Sequence, residues 1–280
     1  MGLFTIVVRG CLFYLLLYAS ESPPCSPHLP HFALLLTPFL FSLPHYSPSL
    51  TLSPSGQVVT LREIFNGASI MNADIGAWDV GEVTSMRAAF SGAVHFSGTG
   101  MWKWKTPSLT DLTHTFNGAT RFDVDLNGWD ISKVTKLAST FANAINFRGT
   151  GLDSWDTAAV TSLDSTFYAI SRSKFNGMLG SWDVSKVQTM ASTFQGSGTL
   201  SETAFVGSGL SKWITTSVTN LRKTFNGASA MNARFDTWDV TKVVTMELTF
   251  ARCPSFEGFG LDQWSVDKVA DFTDVFVDTL

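Results

Sequence analysis

Residues 65–83, FNGASIMNADIGAWDVGEV, recur as residues 225–243, FNGASAMNARFDTWDVTKV, with 12 of the 19 positions identical. The tryptophan of the first stretch, Trp78, opens a series of eight that follow one another at intervals of 25 to 31 residues. The other seven are Trp104, Trp129, Trp155, Trp182, Trp213, Trp238 and Trp264. Self-similarity at a nearly fixed period is typical of a repeat architecture, and it predicts one here.

Four further positions of the repeat are apolar in all eight copies. They lie three residues before the tryptophan and five, eight and twelve residues after it, and the last of them is always phenylalanine. A partial ninth copy, with Val58, Leu61 and Phe65, precedes Trp78. Because a unit of this length buries too little surface to fold alone, we expect neighbouring units to stack and join these positions into continuous apolar rows.

The spacing inside a unit predicts its local structure. The pattern apolar-x-x-Trp-x-apolar suits a short strand, and the following Val-Thr-x-Met/Leu-x-x-x-Phe suits one or two helical turns. Threonines stand where such a helix needs an N-cap, namely Thr84, Thr110, Thr135, Thr161 and Thr219. A glycine two residues after the phenylalanine would end it in a left-handed conformation, with Asn143 in its place in one unit. The predicted fold is an α/β repeat solenoid of about eight strand-turn-short helix units, stacked in a rod or arc.

The units also alternate. Every second tryptophan is preceded by two glycines, such as Gly98 and Gly100, and the other units carry Asn or Asp at the first of these positions, such as Asn72. The glycines complete no phosphate-binding motif, so we interpret them as turn residues.

The phrases FNGAS, WDVSKV and V-T-x-M/L-x-x-x-F resemble the repeats of BspA-like leucine-rich-repeat surface proteins. The resemblance covers about residues 57 to 280. It implies a leucine-rich-repeat-like solenoid in an extracellular or surface-attached binding and adhesion module, with no enzymatic activity attributed to the repeat.

The residues before the repeats differ in composition. Residues 1–21 contain an apolar run that resembles a signal peptide or signal anchor, which predicts a secreted or cell-surface location. Residues 22–56 have no Asp, Glu, Lys or Arg and are rich in Pro, Ser and Leu, so we predict an unstructured linker or a mistranslated stretch. The repeat solenoid is predicted over residues 57–280. If the N-terminus is spurious, the alternative is a cytoplasmic protein-interaction scaffold.

Composition excludes several functions. The net charge of -4 argues against nucleic acid as a partner, and the three cysteines do not support a disulfide framework. Only His95 and His114 lie in the repeats, with a single cysteine, so metal ligands are scarce. The sequence therefore predicts a non-enzyme that needs no cofactor or metal and meets a membrane only through its N-terminal segment.

A partner is expected to bind the exposed rows of the stack. The residue after each tryptophan should point outward, which forms an acidic row of Asp79, Asp130, Asp156, Asp183 and Asp239. This row either keeps the stack soluble beside a neighbouring lysine row or meets a basic partner or divalent cation.

Trp102 lies outside the tryptophan period, and Lys103 and Lys105 flank it and interrupt the acidic row. Such a cluster is typical of a contact anchor. The predicted partner is a protein of the cell surface or extracellular matrix, and end-to-end self-association of the stack is a further prediction.

Overall fold

The structure, a computed structural model, describes residues 3–8, 11–16, 51–52, 57–169, 172–197 and 203–279. Strands β1 (Leu3–Val8) and β2 (Cys11–Leu16) pair antiparallel, as do β3 (Thr51–Leu52) and β4 (Val58–Thr60). Four 3₁₀ helices follow at Met101–Lys103, Leu152–Ser154, Leu210–Lys212 and Leu261–Gln263. Apart from β3, the linker predicted over residues 22–56 lies outside the described residues, as do residues 17–21 of the predicted signal segment.

Successive units contact one another in chain order. We number them by their tryptophans, from unit 1 (Trp78) to unit 8 (Trp264). A series of single parallel β-bridges joins the residue seven positions after one tryptophan to its equivalent in the next unit. The series runs through Thr60, Ser85, Asp111, Lys136, Ser162, Thr189, Asn220, Thr245 and Asp271. Residues at equivalent positions of the repeat therefore pair with each other in successive units.

A ribbon of β-turns follows each bridge. In the copy before unit 1, the amides of Ile64 and Asn66 donate to carbonyls three residues earlier, while those of Leu61, Glu63 and Phe65 donate to carbonyls of unit 1. The predicted short helix is wrong, because alternate amides bond to the neighbouring unit instead of to the carbonyl four residues back. No α-helix occurs among the described residues.

The threonines predicted as N-caps bond between units instead. The backbone amide and the hydroxyl of Thr110 both donate to the carbonyl of Thr84, and Thr84 donates in the same way to Val59. The predicted left-handed conformation two residues after the phenylalanine is present at Gly92 and Asn143, although it belongs to a turn and not to a helix end.

The predicted strand at each tryptophan is also wrong. Trp104, for example, directly follows the 3₁₀ helix Met101–Lys103, and its amide closes a turn onto the carbonyl of Met101. What anchors the tryptophan is its side chain, since the indole Nε1 donates to the carbonyl of Ile75 in unit 1 at 3.0 Å. The indoles of units 3 to 8 repeat this bond at 2.8–3.3 Å.

Aromatic rows fill the interior. The phenylalanines twelve residues after each tryptophan stack with ring centroids 5.5–5.7 Å apart, as in Phe90–Phe116 and Phe116–Phe141. A second phenyl row lies beside them, with Phe116 and Phe122 only 4.0 Å apart. Neighbouring indoles also stack, at 6.2 Å for Trp78 and Trp104. Burial of these rings removes a large apolar surface from water and is the main favourable term for the stack.

The alternation of units has a structural cause. The side-chain carbonyl of Asn72 accepts the amide of Ser97 in the next unit, and Asp123 accepts the amide of Arg148 in the same way. The glycine units bring Gly100 against Gly76, where a Cβ atom would clash with backbone. Within each pair, one unit contributes a carboxamide or carboxylate acceptor, and the other contributes glycines whose backbone can approach closely.

Candidate interaction surface

The acidic row is built from local turns. Asp79, Asp156 and Asp183 each accept the backbone amide of the residue two positions later, at 2.9–3.1 Å. Asp130 and Asp239 make the same bond and also accept the hydroxyl of that residue, Ser132 or Thr241. These Asx turns direct the chain into the β-turn that leads to the next buried valine.

Hydrogen bonding also lowers the pKa of three aspartates of this row. The pKa of Asp130 is lowered first by the Ser132 hydroxyl and then by its amide, and the Asp183 and Asp239 carboxyls have lowered pKa values for the same reason. Nearby lysines, such as Lys133 beside Asp130, act in the same direction. Each carboxylate is thus occupied by its own turn, which gives the row a structural role in every unit that carries it.

Trp102 differs from the other tryptophans. It lies at the centre of the 3₁₀ helix Met101–Lys103 with 59% of its surface exposed, whereas Trp104 two residues later is 1% exposed. The same position in the other three 3₁₀ helices holds Asp153, Ser211 and Asp262. The stack therefore does not require an indole at this position.

One lysine lies over this indole, and two more occupy units 2 and 3. The Nζ atom of Lys103 lies 5.3 Å from the centroid of the Trp102 ring, within the range of a cation–π interaction. Lys105 takes the place of the row aspartate, and its Nζ lies over the next unit, 3.2 Å from where a Cβ on Gly128 would stand. Lys133 of that unit reaches back and donates to the Pro107 carbonyl at 2.8 Å. The three predicted residues, Trp102, Lys103 and Lys105, thus lie together on unit 2, and Lys133 of unit 3 contacts the same unit at Pro107.

Lys133 belongs to the lysine row that the sequence predicted beside the acidic row, but the prediction did not connect it with Trp102. It lies 31 residues from Trp102 in the chain, but the units stack so that it belongs to the adjacent unit. The repeat phase places Lys133 next to its equivalent in unit 2, Ser108, and Pro107 directly precedes that residue.

The described residues contain neither a cluster of metal ligands nor a membrane-spanning helix. No group of three or more His, Cys, Asp or Glu side chains comes together there in a way that could hold a metal ion. Within the same residues, no helix has the length and apolar character needed to cross a membrane.

The stack of similar units defines a repeat protein. Residues 53–150, 135–205 and 197–280 each match the family described as Mycoplasma protein of unknown function, DUF285, and the chain belongs to this family. No curated protein and no solved structure matches the chain. The BspA-like resemblance stays a prediction beside this membership.

Proposed function

We propose that the chain is a repeat solenoid that serves as a non-catalytic protein-binding and adhesion module, secreted or displayed at the cell surface. The observation that carries the proposal is the exposure of Trp102 at a position that the other 3₁₀ helices fill with small polar residues. An exposed indole costs solubility and contributes nothing to the interior, whereas tryptophans are enriched among the residues that dominate protein interfaces.

The shape of the stack supports a binding role. Joining units side by side produces an extended surface on which each unit contributes its own exposed side chains, while the buried positions stay nearly constant. Repeat proteins use such surfaces to bind partners, with specificity encoded by the variable exposed positions.

A capture experiment with the full chain tests binding. Immobilised protein is exposed to surface proteins extracted from the source cells, and the Trp102→Ser variant, which copies Ser211, is compared with Ser211→Ala. We expect Trp102→Ser to lose the captured protein and Ser211→Ala to retain it, with both variants melting close to the parent. Equal capture by all three proteins would contradict a binding role for Trp102.

The location is tested separately. The complete gene with a C-terminal tag is expressed in the source cells, and protease is added outside intact cells. Removal of the tag is expected for a displayed protein, and its appearance in the medium for a secreted one. A tag that is protected until the cells are lysed would favour the intracellular scaffold.

A further inference from the structure

We infer that the surface formed by Trp102, Lys103, Lys105 and Lys133 recognises an acidic polypeptide segment, with the indole as apolar anchor and the ammonium groups as carboxylate ligands. The inference rests on the proposed function and names the chemistry of the partner at the same site. We call these four residues the Trp102 surface.

The lysines of the Trp102 surface keep hydrogen-bond donors that no ion pair of the described residues uses. Among the described residues the ion pairs are Arg148–Asp123, Arg222–Glu247, Arg234–Asp236 and Arg252–Asp278, and none of the lysines of the Trp102 surface takes part in them. Lys133 uses one donor on the Pro107 carbonyl, and an ammonium group has three. These lysines can therefore still donate to carboxylates of a partner.

Lys105 reverses the sign of the charge at one position of the acidic row. The chain as a whole has a net charge of -4, and the position that Lys105 occupies is aspartate in five of the eight units. A cationic area on an acidic protein attracts anionic segments and repels basic ones, which contributes specificity and association rate more than affinity. The interruption of the acidic row therefore points to a partner of negative charge.

The ammonium group of Lys103 lies beside the exposed ring of Trp102. Because the Lys103 ammonium lies 5.3 Å from the ring centroid, a carboxylate that meets it comes to rest beside the indole. A neighbouring apolar or aromatic side chain of the same segment can then pack on the exposed ring. One acidic and one apolar residue close together in sequence would satisfy both groups.

A polypeptide and an acidic polysaccharide differ in what they offer an indole that lies beside an ammonium group. A polypeptide segment supplies a carboxylate and an apolar side chain a few residues apart, which matches Lys103 and the exposed ring of Trp102. An acidic polysaccharide supplies carboxylates but no apolar side chain to pack on the ring. The surroundings of the indole therefore favour a polypeptide.

The test uses a glutamate-rich peptide with a central tyrosine, its glutamine analogue, and polygalacturonate as an acidic polysaccharide, each titrated onto the immobilised full chain. We expect the glutamate peptide to bind best and to weaken as salt is added. Trp102→Ser should weaken binding about tenfold, and Lys105→Ser and Lys133→Ser several-fold each. The matched control is Lys212→Ser, because Lys212 occupies the position of Lys103 in the third 3₁₀ helix, beside Ser211, and should leave binding unchanged.

The outcomes separate the inference from the function on which it rests. Equal binding of the glutamine analogue would contradict the preference for an acidic partner. Tighter binding of polygalacturonate than of the peptide would contradict the assignment of the partner as a polypeptide. If the peptide fails to bind while cell-surface protein is still captured in a Trp102-dependent manner, the inference falls and the proposed function stands. If capture of cell-surface protein also does not depend on Trp102, both the inference and the proposed function are contradicted.

Discussion

At the scale of single residues, Cys253 shows how strongly the stack controls chemistry. Its thiol is fully buried, lies 2.9 Å from the Phe225 carbonyl, and occupies a position that is alanine in the preceding unit, Ala228. Burial raises the pKa of the thiol from its ordinary value of 9.0 to about 12. A thiol in this state is neither a nucleophile nor a metal ligand at neutral pH.

This shift predicts a pH dependence of stability. The thiol of the unfolded chain loses its proton near pH 9, whereas the folded thiol keeps it to about 12, so raising the pH between these values favours unfolding. The contribution of Cys253 is fully present below pH 9 and declines by about 1.4 kcal/mol per pH unit above it. Urea unfolding from pH 8 to 11 should show the parent losing stability faster than Cys253→Ala. Parallel curves would contradict the buried neutral thiol.

A second residue-scale feature is a left-handed backbone at residues other than glycine. The residue ten positions after each tryptophan has a positive φ, for example Ala88 at 51° and Leu248 at 55°. This conformation lets the third residue of the turn point its amide to the next unit, but a Cβ atom makes it unfavourable.

We therefore predict that Leu248→Gly is more stable than Leu248→Ala by about 1 kcal/mol, since both remove the side chain and only glycine removes the Cβ strain. At Glu247, which has an ordinary φ, the order should reverse because glycine has the larger conformational entropy to lose. Thermal unfolding of Leu248→Gly, Leu248→Ala, Glu247→Gly and Glu247→Ala measures the glycine–alanine difference in stability at both positions. Alanine and glycine of equal stability at position 248 would remove the strain argument.

At the scale of the element, the turn ribbon explains which features the sequence could predict. The buried positions were predictable, because Trp and the final Phe are invariant, the positions five and eight residues after Trp are always apolar, and these side chains fill the interior of units 1 to 7. The ribbon was not, because a spacing of three and four is common to a helix and to overlapping β-turns. The bonds that distinguish them, such as Phe65 to Ala89, join different units and leave no local signature.

The candidate site also has features that the sequence predicts and features that it does not. Trp102 was predictable because it is the one tryptophan outside the period, and its exposure follows from the constant interior. Three of the five Asx turns of the acidic row had a local signature in the Asp-x-Ser/Thr spacing, but we interpreted the row as a surface feature. The contact between Lys133 and Pro107 depends on the register between units and could not be read from either unit alone.

The glycine pairs give a prediction at the same scale. Gly209 has φ 91°, and a Cβ there would stand 2.6 Å from the Cα of Gly180, whereas the nearest atom to a Cβ on Gly258, at φ 78°, is 3.8 Å away. Gly258→Ala should cost about 1–2 kcal/mol through its backbone alone. Gly209→Ala should cost about 1–3 kcal/mol more, because the backbones of two units must separate. Denaturant unfolding measures both, and equal losses would show that the units can move apart freely.

At the scale of the whole molecule, the position of a unit in the stack decides how much its interior residues contribute. Phe116 packs between Phe90 and Phe141, with centroid distances of 5.7 and 5.6 Å, and is completely buried. Phe276 is the equivalent residue of unit 8, packs on Phe250 at 5.6 Å, and is 54% exposed. Energies in such a stack are approximately the sum of each unit and its contacts with neighbours.

We therefore predict different costs for the same substitution at the same position of two units. Phe116→Ala should lower the free energy of unfolding by about 3–5 kcal/mol, since it leaves a cavity between two units. Phe276→Ala should lower it by about 1 kcal/mol, because about half of that ring is already in water. Urea unfolding followed by tryptophan fluorescence, with hydrogen exchange to locate the loosened units, makes the comparison. A loss at Phe276 as large as that at Phe116 would mean that stability is not the sum of unit and neighbour contributions.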